Sequence, residues 1–184
     1  MGKPATIWRA ALAWYGLTAL WRCGGGGGVV VDVPPPPPTY YSDFSVTGSL
    51  SCTNPSVPVL LDFVEMGARA SASDAFLFGE DSSAPPGAPA SPYVTMTISP
   101  DFAKDVRAPI VQGNSYSWTI VVECWPSDSA APMSLTFVKP VNVPITITDV
   151  DGASGVAGAA LGASVAWNPP VNQKSTWRFR VSVP

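Results

Sequence analysis

The chain has 184 residues, a net charge of −3, 12% charged residues and no histidine. So few basic residues cannot neutralise a series of phosphates, which argues against nucleic-acid binding. The lack of histidine removes the commonest general base and metal ligand, whereas the hydrophobic content of 46% is enough for a packed core.

Residues 1–23, MGKPATIWRAALAWYGLTALWRC, are predicted to form one apolar helix. Pro4 suits a first helical turn, and apolar residues recur at heptad spacing. The other faces are also apolar, so most sides of the helix must be buried. The apolar run over 10–21 would be about 18 Å long, too short for a hydrocarbon core of about 30 Å. We expect the helix to anchor the protein in a protein partner through Ile7, Trp8, Leu12, Trp14, Tyr15, Leu17 and Trp21.

The same segment also resembles a secretion signal. A basic start and an apolar centre precede Leu20, Cys23 and Gly24, which resemble a bacterial lipoprotein cleavage box. In that alternative, Cys23 carries the lipid. Such boxes have small residues where this chain has Trp21 and Arg22, so we favour a retained anchor helix.

Residues 24–39 are predicted to be a tether. Five glycines stop the helix and give the backbone wide freedom, and a valine-rich run over 29–33 is β-prone. Five prolines over 34–38 then favour a stiff polyproline II rod of about 15 Å. A tether of this kind would hold the following domain clear of its support.

Residues 40–184 are predicted to form an antiparallel β-sandwich. Short β-prone runs alternate with turn residues, and in WRFRVSV, over 177–183, apolar and polar residues strictly alternate. The continuous run WTIVVECW, over 118–125, is expected at the centre of the sheet stack. The predicted strands cover 44–50, 57–64, 93–99, 115–124, 133–138, 143–148, 163–167 and 176–183.

The two cysteines of this domain, Cys52 and Cys124, are a candidate disulfide in an oxidising compartment, and the alternative is two buried thiols. Strand count and cysteine placement resemble an immunoglobulin-like domain. The resemblance lacks a Trp on the third strand, and Val122 occupies the position of the corner Tyr. A jelly roll is therefore the alternative topology.

The sequence TDVDGASG resembles the opening of a calcium loop through Asp149 and Asp151. Ala153 and Ala160 occupy later ligand positions, which favours an ordinary aspartate–glycine turn. No metal or cofactor is expected.

Catalytic chemistry is not indicated. The carboxylates of Asp62, Glu65, Asp101 and Asp105 are too scattered to nominate an acid–base pair, and no serine lies in a nucleophile elbow. A carbohydrate-binding module is one alternative, with aromatic platforms expected at Tyr116, Trp125 and Trp167.

An apolar helix, a Gly/Pro tether and a β domain of low charge resemble in plan the small accessory virion proteins of tailed bacteriophages. The resemblance implies a non-enzymatic capsid or tail protein that decorates, cements or adheres, with protein partners in several copies and a location in the virion. The main alternative is an envelope lipoprotein or exported adhesin, located in the bacterial envelope or outside the cell.

Overall fold

The computed structural model describes residues 40–87, 90–111, 113–126 and 129–184. The predicted anchor helix, the tether and Cys23 lie outside these residues. Within the described ranges the chain forms strands and connecting loops, without a helix. The strands are β1 (Tyr40–Tyr41), β2 (Phe44–Cys52), β3 (Val59–Leu61), β4 (Phe63–Ala68), β5 (Ser82–Ser83), β6 (Tyr93–Ile98), β7 (Phe102–Arg107), β8 (Ile110–Val111), β9 (Tyr116–Trp125), β10 (Met133–Val138), β11 (Thr146–Asp149), β12 (Ser164–Trp167) and β13 (Ser175–Val183).

Eleven of these strands form one curled, mainly antiparallel sheet, and nine of them follow the order β11-β13-β9-β6-β7-β4-β2-β10-β12. Strand β3 adds to β6 and β5 adds to β7, while β1 and β8 pair separately. The pairs β3/β6 and β4/β7 are parallel. Strands β6 and β7 share only the registered pair Ile98↔Phe102. The predicted mainly β, antiparallel-rich fold is confirmed.

Most predicted strands are found with ends shifted by two residues or fewer, and β10 covers 133–138 as predicted. The run 57–64 instead divides into β3 and β4, because β3 pairs with β6 whereas β4 pairs with β2 and β7. The strand predicted over 143–148 begins only at Thr146. Strand β7 was not predicted, since most of its side chains are half-buried and give no alternating apolar signal.

The core is built by period-two alternation. In β9 the buried side chains are Trp118, Ile120, Val122 and Cys124, and the residues between them are partly exposed. Strand β9 pairs with β13 on one side and β6 on the other, so it is an interior strand of the sheet, whereas its place in a stack of two sheets stays a prediction. The continuous apolar run therefore reflects a central strand with a partly covered outer face.

Asp149 is fully buried at the end of β11 and caps its own turn. One carboxylate oxygen accepts hydrogen bonds from the amides of Gly152 (2.7 Å) and Ala153 (3.2 Å). The other accepts from the amide (2.7 Å) and the hydroxyl (2.6 Å) of Ser154. Burial acts to raise the pKa of Asp149, but these donors outweigh it and hold the pKa below its ordinary value. The aspartate–glycine turn is confirmed, with Gly152 at a φ of 85°.

Replacing Asp149 with Ala should lower the free energy of unfolding by about 2–3 kcal/mol, because four hydrogen-bond donors lose a buried charged acceptor. A lowered pKa contributes stability that is present above the unfolded value and is lost as pH falls through the folded value. The difference between wild type and variant should therefore shrink below about pH 4. Urea unfolding between pH 3 and 7 measures this, with the exposed Asp101→Ala as control. Equal stability of the Asp149 variant and wild type at pH 7 would show that the turn does not need its cap.

Cys52 and Cys124 carry free thiols in the structure. Cys124 is buried in the core, and Cys52 packs against the same core from the end of β2. Burial raises the pKa of Cys124 to about 12, and the neighbouring Cys52 contributes to the shift. The disulfide between them stays a prediction.

The thiol of Cys124 should be almost inert in the folded protein, because both its burial and its raised pKa suppress the thiolate. With iodoacetamide at pH 8, we expect Cys52 to be alkylated first and Cys124 only after denaturation. Peptide mass spectrometry assigns each site. Rapid labelling of Cys124 without denaturant would contradict this, whereas labelling of neither residue in denaturant until a reductant is added would establish the disulfide.

Candidate functional site

A cleft of about 410 Å3 opens between the loop that precedes β5, strand β7 and the start of β9. We name it the aromatic–carboxylate cleft after its lining. The side chains combine two phenylalanines, one tyrosine, three aspartates and one arginine with small residues. They are Ser73, Asp74, Ala75, Phe76, Asp81, Phe102, Asp105, Arg107 and Tyr116.

The loop over 69–81 forms one wall and is attached to β7 by Asp81. This carboxylate is buried and accepts a hydrogen bond from the amide of Leu77 (2.9 Å) within the loop. Its other oxygen accepts from the amide of Val106 (2.8 Å) on β7. Glu80 also accepts from the amide of Ser73 (3.2 Å). The wall is therefore held by polar contacts at both ends, although its residues are largely exposed.

Phe76 and Phe102 supply the apolar part of the cleft. Their rings stack with centroids 5.4 Å apart and an interplanar angle of 17°. Phe102 is half-buried, whereas Phe76 is 48% exposed. The stacked pair thus presents aromatic surface to a ligand while the loop side chain is supported from below by β7.

Arg107 is held by a carboxylate and two aromatic rings. Its Nη2 lies 2.8 Å from Oδ2 of Asp105, and its Nε also donates to this carboxylate. The guanidinium carbon lies 5.4 Å from the ring centre of Tyr116 and 4.9 Å from that of Trp118. Cation–π contact and the ion pair together restrict the guanidinium to one position at the cleft.

Tyr116 and Asp74 join the loop to β9. The Tyr116 hydroxyl donates to Oδ1 of Asp74 at 2.7 Å, and the amide of Ala108 donates to the same oxygen at 3.2 Å. Burial and the Asp74 carboxylate raise the pKa of Tyr116 to about 12. The phenol is therefore neutral at physiological pH and remains a hydrogen-bond donor.

Beside the cleft, the same loop exposes three consecutive large apolar residues. Phe76 and Leu77 are about half exposed and Phe78 is 98% exposed. We name residues 76–78 the apolar tip. The backbone amides of Glu80 and Asp81 both donate to the carbonyl of Leu77, so a tight turn holds the tip outward.

The structure does not bring the three predicted aromatic platforms together. Tyr116 lines the cleft, but Trp125 lies at the other end of β9, about 30 Å away at the usual rise of a strand. Trp125 meets Tyr93 edge-on and is 37% exposed. Trp167 is partly buried and packs on Trp177 and Phe179, which makes it part of the core margin.

Two of the four carboxylates that the sequence analysis judged too scattered for an acid–base pair form ion pairs in the structure. Asp105 holds Arg107, and Glu65 lies 3.4 Å from Arg69 and 3.9 Å from Lys104. Sequence reasoning missed Asp74 and Asp81. The segment SDAFLFGED, over 73–81, carried a usable signal, because three large apolar residues flanked by acids are unusual in a loop.

No protein-family model, no curated protein and no solved structure matches this chain. Among the described residues, no cluster of three or more potential metal-ligating side chains occurs. The described part of the chain also contains no helix of the length and hydropathy needed to span a membrane.

Replacing Asp81 with Ala should loosen the loop wall, because the amides of Leu77 and Val106 both lose their acceptor. We expect hydrogen exchange at these two amides to become at least ~10-fold faster, a change of about 1.4 kcal/mol in local opening. The exposed Asp101→Ala is the matched control. Unchanged exchange in the Asp81 variant would mean that other contacts hold the loop.

Proposed function

We propose that this protein is a non-enzymatic attachment protein of a large assembly. It corresponds most closely to an accessory virion protein that docks through residues 1–23 and displays the β domain on the tether. The observation that carries the proposal is the apolar tip, three large exposed apolar residues in succession on an anchored loop.

The apolar tip has the properties of a protein contact. Solvent-exposed side chains such as that of Phe78 gain hydrophobic free energy only when a partner covers them. Aromatic residues are enriched among the residues that dominate interface energies. Because Asp81 already orders the loop, binding would cost less conformational entropy than it would for a free loop.

Two contacts on one chain would strengthen attachment. Docking of the anchor helix would restrict the β domain to the reach of residues 24–39. The second contact, through the apolar tip, then becomes intramolecular and benefits from a high effective concentration. A weak contact at the tip would therefore be sufficient to orient the domain on its support.

For the domain itself we propose a sandwich, either immunoglobulin-like or jelly-roll. The support is the weak junction between β6 and β7, a single registered pair that separates two longer ladders. Strand β2 belongs to one ladder and β9 to the other, yet their inward side chains enter one core cluster. Two ladders that face each other across a shared core constitute a sandwich.

Replacing Phe78 with Ser should reduce incorporation of the full chain into its native assembly, because the most exposed side chain of the apolar tip is lost. We expect the particle-associated fraction to fall at least ~10-fold, with the melting temperature unchanged. Co-sedimentation of tagged chains expressed in the native host measures this. Val141→Ser removes an equally exposed apolar side chain elsewhere and should have no effect.

The full chain with Trp14→Asp and Trp21→Asp tests the predicted anchor helix in the same assay. Normal incorporation of both this variant and Phe78→Ser would overturn the proposal. The intact mass of the native protein distinguishes this proposal from the lipoprotein alternative. A chain that begins at an acylated Cys23 and is recovered with membranes would establish a lipoprotein instead.

A further inference from the structure

We propose that the aromatic–carboxylate cleft is a binding site for a neutral saccharide unit. This site adjoins the apolar tip, with which it shares Phe76, and adds a ligand-binding activity to the attachment function. Its volume of about 410 Å3 lies within the range of roughly 300–1,000 Å3 that is typical of small-molecule sites.

The apolar wall suits one face of a sugar ring. The C–H groups on the face of a pyranose are weakly positive and pack against the negative face of an aromatic ring. Phe76 offers such a surface at 48% exposure, and its stacking on Phe102 keeps the ring in place before a ligand arrives. The wall is thereby ordered in advance, which reduces the entropy lost on binding.

The polar side chains of the cleft offer a ligand both a hydrogen-bond acceptor, on Asp74, and a donor, on Arg107. Oδ1 of Asp74 receives Tyr116 and Ala108, whereas Oδ2 receives no donor from the described residues and can accept from a hydroxyl. Arg107 uses Nε and Nη2 on Asp105, and among the described residues its Nη1 donates only to the backbone carbonyl of Ser117, at a long distance of 3.5 Å. A sugar hydroxyl can donate to Asp74 and accept from Arg107, because each hydroxyl does both.

The charges of the cleft disfavour an anion and leave a cation a single available carboxylate. Three aspartates lie with one arginine, so a carboxylated or phosphorylated sugar would meet net negative charge. An ammonium or guanidinium group would meet Arg107, and the carboxylate of Asp105 is already neutralised by that residue. Asp81 is buried and satisfied by two amides, so it is not offered to a ligand. A cation would therefore find one available carboxylate, that of Asp74, whereas a neutral polyol can use both Asp74 and the Nη1 donor of Arg107.

The test is an NMR titration of the 15N-labelled full chain with the methyl glycosides of glucose, galactose, mannose, rhamnose and N-acetylglucosamine. Glucuronic acid and Nα-acetyl-lysine methylamide serve as the charged probes. We expect at least one neutral glycoside to shift the amides over 74–76 and 105–107 with a Kd of about 0.1–10 mM, the range of modest affinities. Shifts caused only by a charged probe, or none by any probe at about 100 mM, would overturn the proposal.

Two variants assign the binding to the cleft. Asp74→Asn keeps an oxygen for Tyr116 and Ala108 but loses the free carboxylate oxygen, and Phe76→Ala removes the aromatic surface. Each should weaken the bound glycoside at least ~10-fold, the effect of about 1.4 kcal/mol. The controls Asp62→Asn and Phe63→Ala change an exposed aspartate and a phenylalanine of 44% exposure outside the cleft, and should bind normally.

Binding that is unchanged in both cleft variants would place the saccharide elsewhere and overturn the assignment. Phe78→Ser should retain glycoside binding while it loses incorporation, and Asp74→Asn should do the reverse. The saccharide site and the attachment function therefore fail independently.

Discussion

The pairing of β9 with β13 on one side and β6 on the other is the constraint on which the rest of this domain depends. It extends along the whole of β13 and places the inward side chains of β9 in the core. The same strand delivers Tyr116, at its first residue, to the cleft. A single central strand therefore connects the hydrophobic core with the candidate binding surface.

The two buried charged side chains in the described part of the chain, Asp81 and Asp149, act in the same way. Each carboxylate accepts hydrogen bonds from backbone amides of its own loop, and Asp81 also accepts from Val106 on β7. Such an arrangement orders a connection without a large apolar core beneath it. In the case of Asp81, the ordered connection carries both the wall of the cleft and the apolar tip.

One loop contributes residues both to the wall of the cleft and to the apolar tip. Phe76 turns its ring onto Phe102 at the cleft, and Phe78, two residues later, is almost fully exposed. The first arrangement suits a small polyhydroxylated ligand, and the second suits a protein surface. The two proposed contacts therefore lie at adjacent places on one loop of the β domain.

The sequence by itself determined the β class, most strand positions and the aspartate turn at Asp149, because alternation and turn residues act over short distances. Only the tertiary structure decided the rest. Strand β7 gains its identity from β4, a partner distant in sequence, and β3 separates from β4 because their partners differ. The cleft joins Asp74, Arg107 and Tyr116 from three segments, and their meeting depends on sheet order. Sheet order is set by the packing of the whole core, which no local pattern encodes.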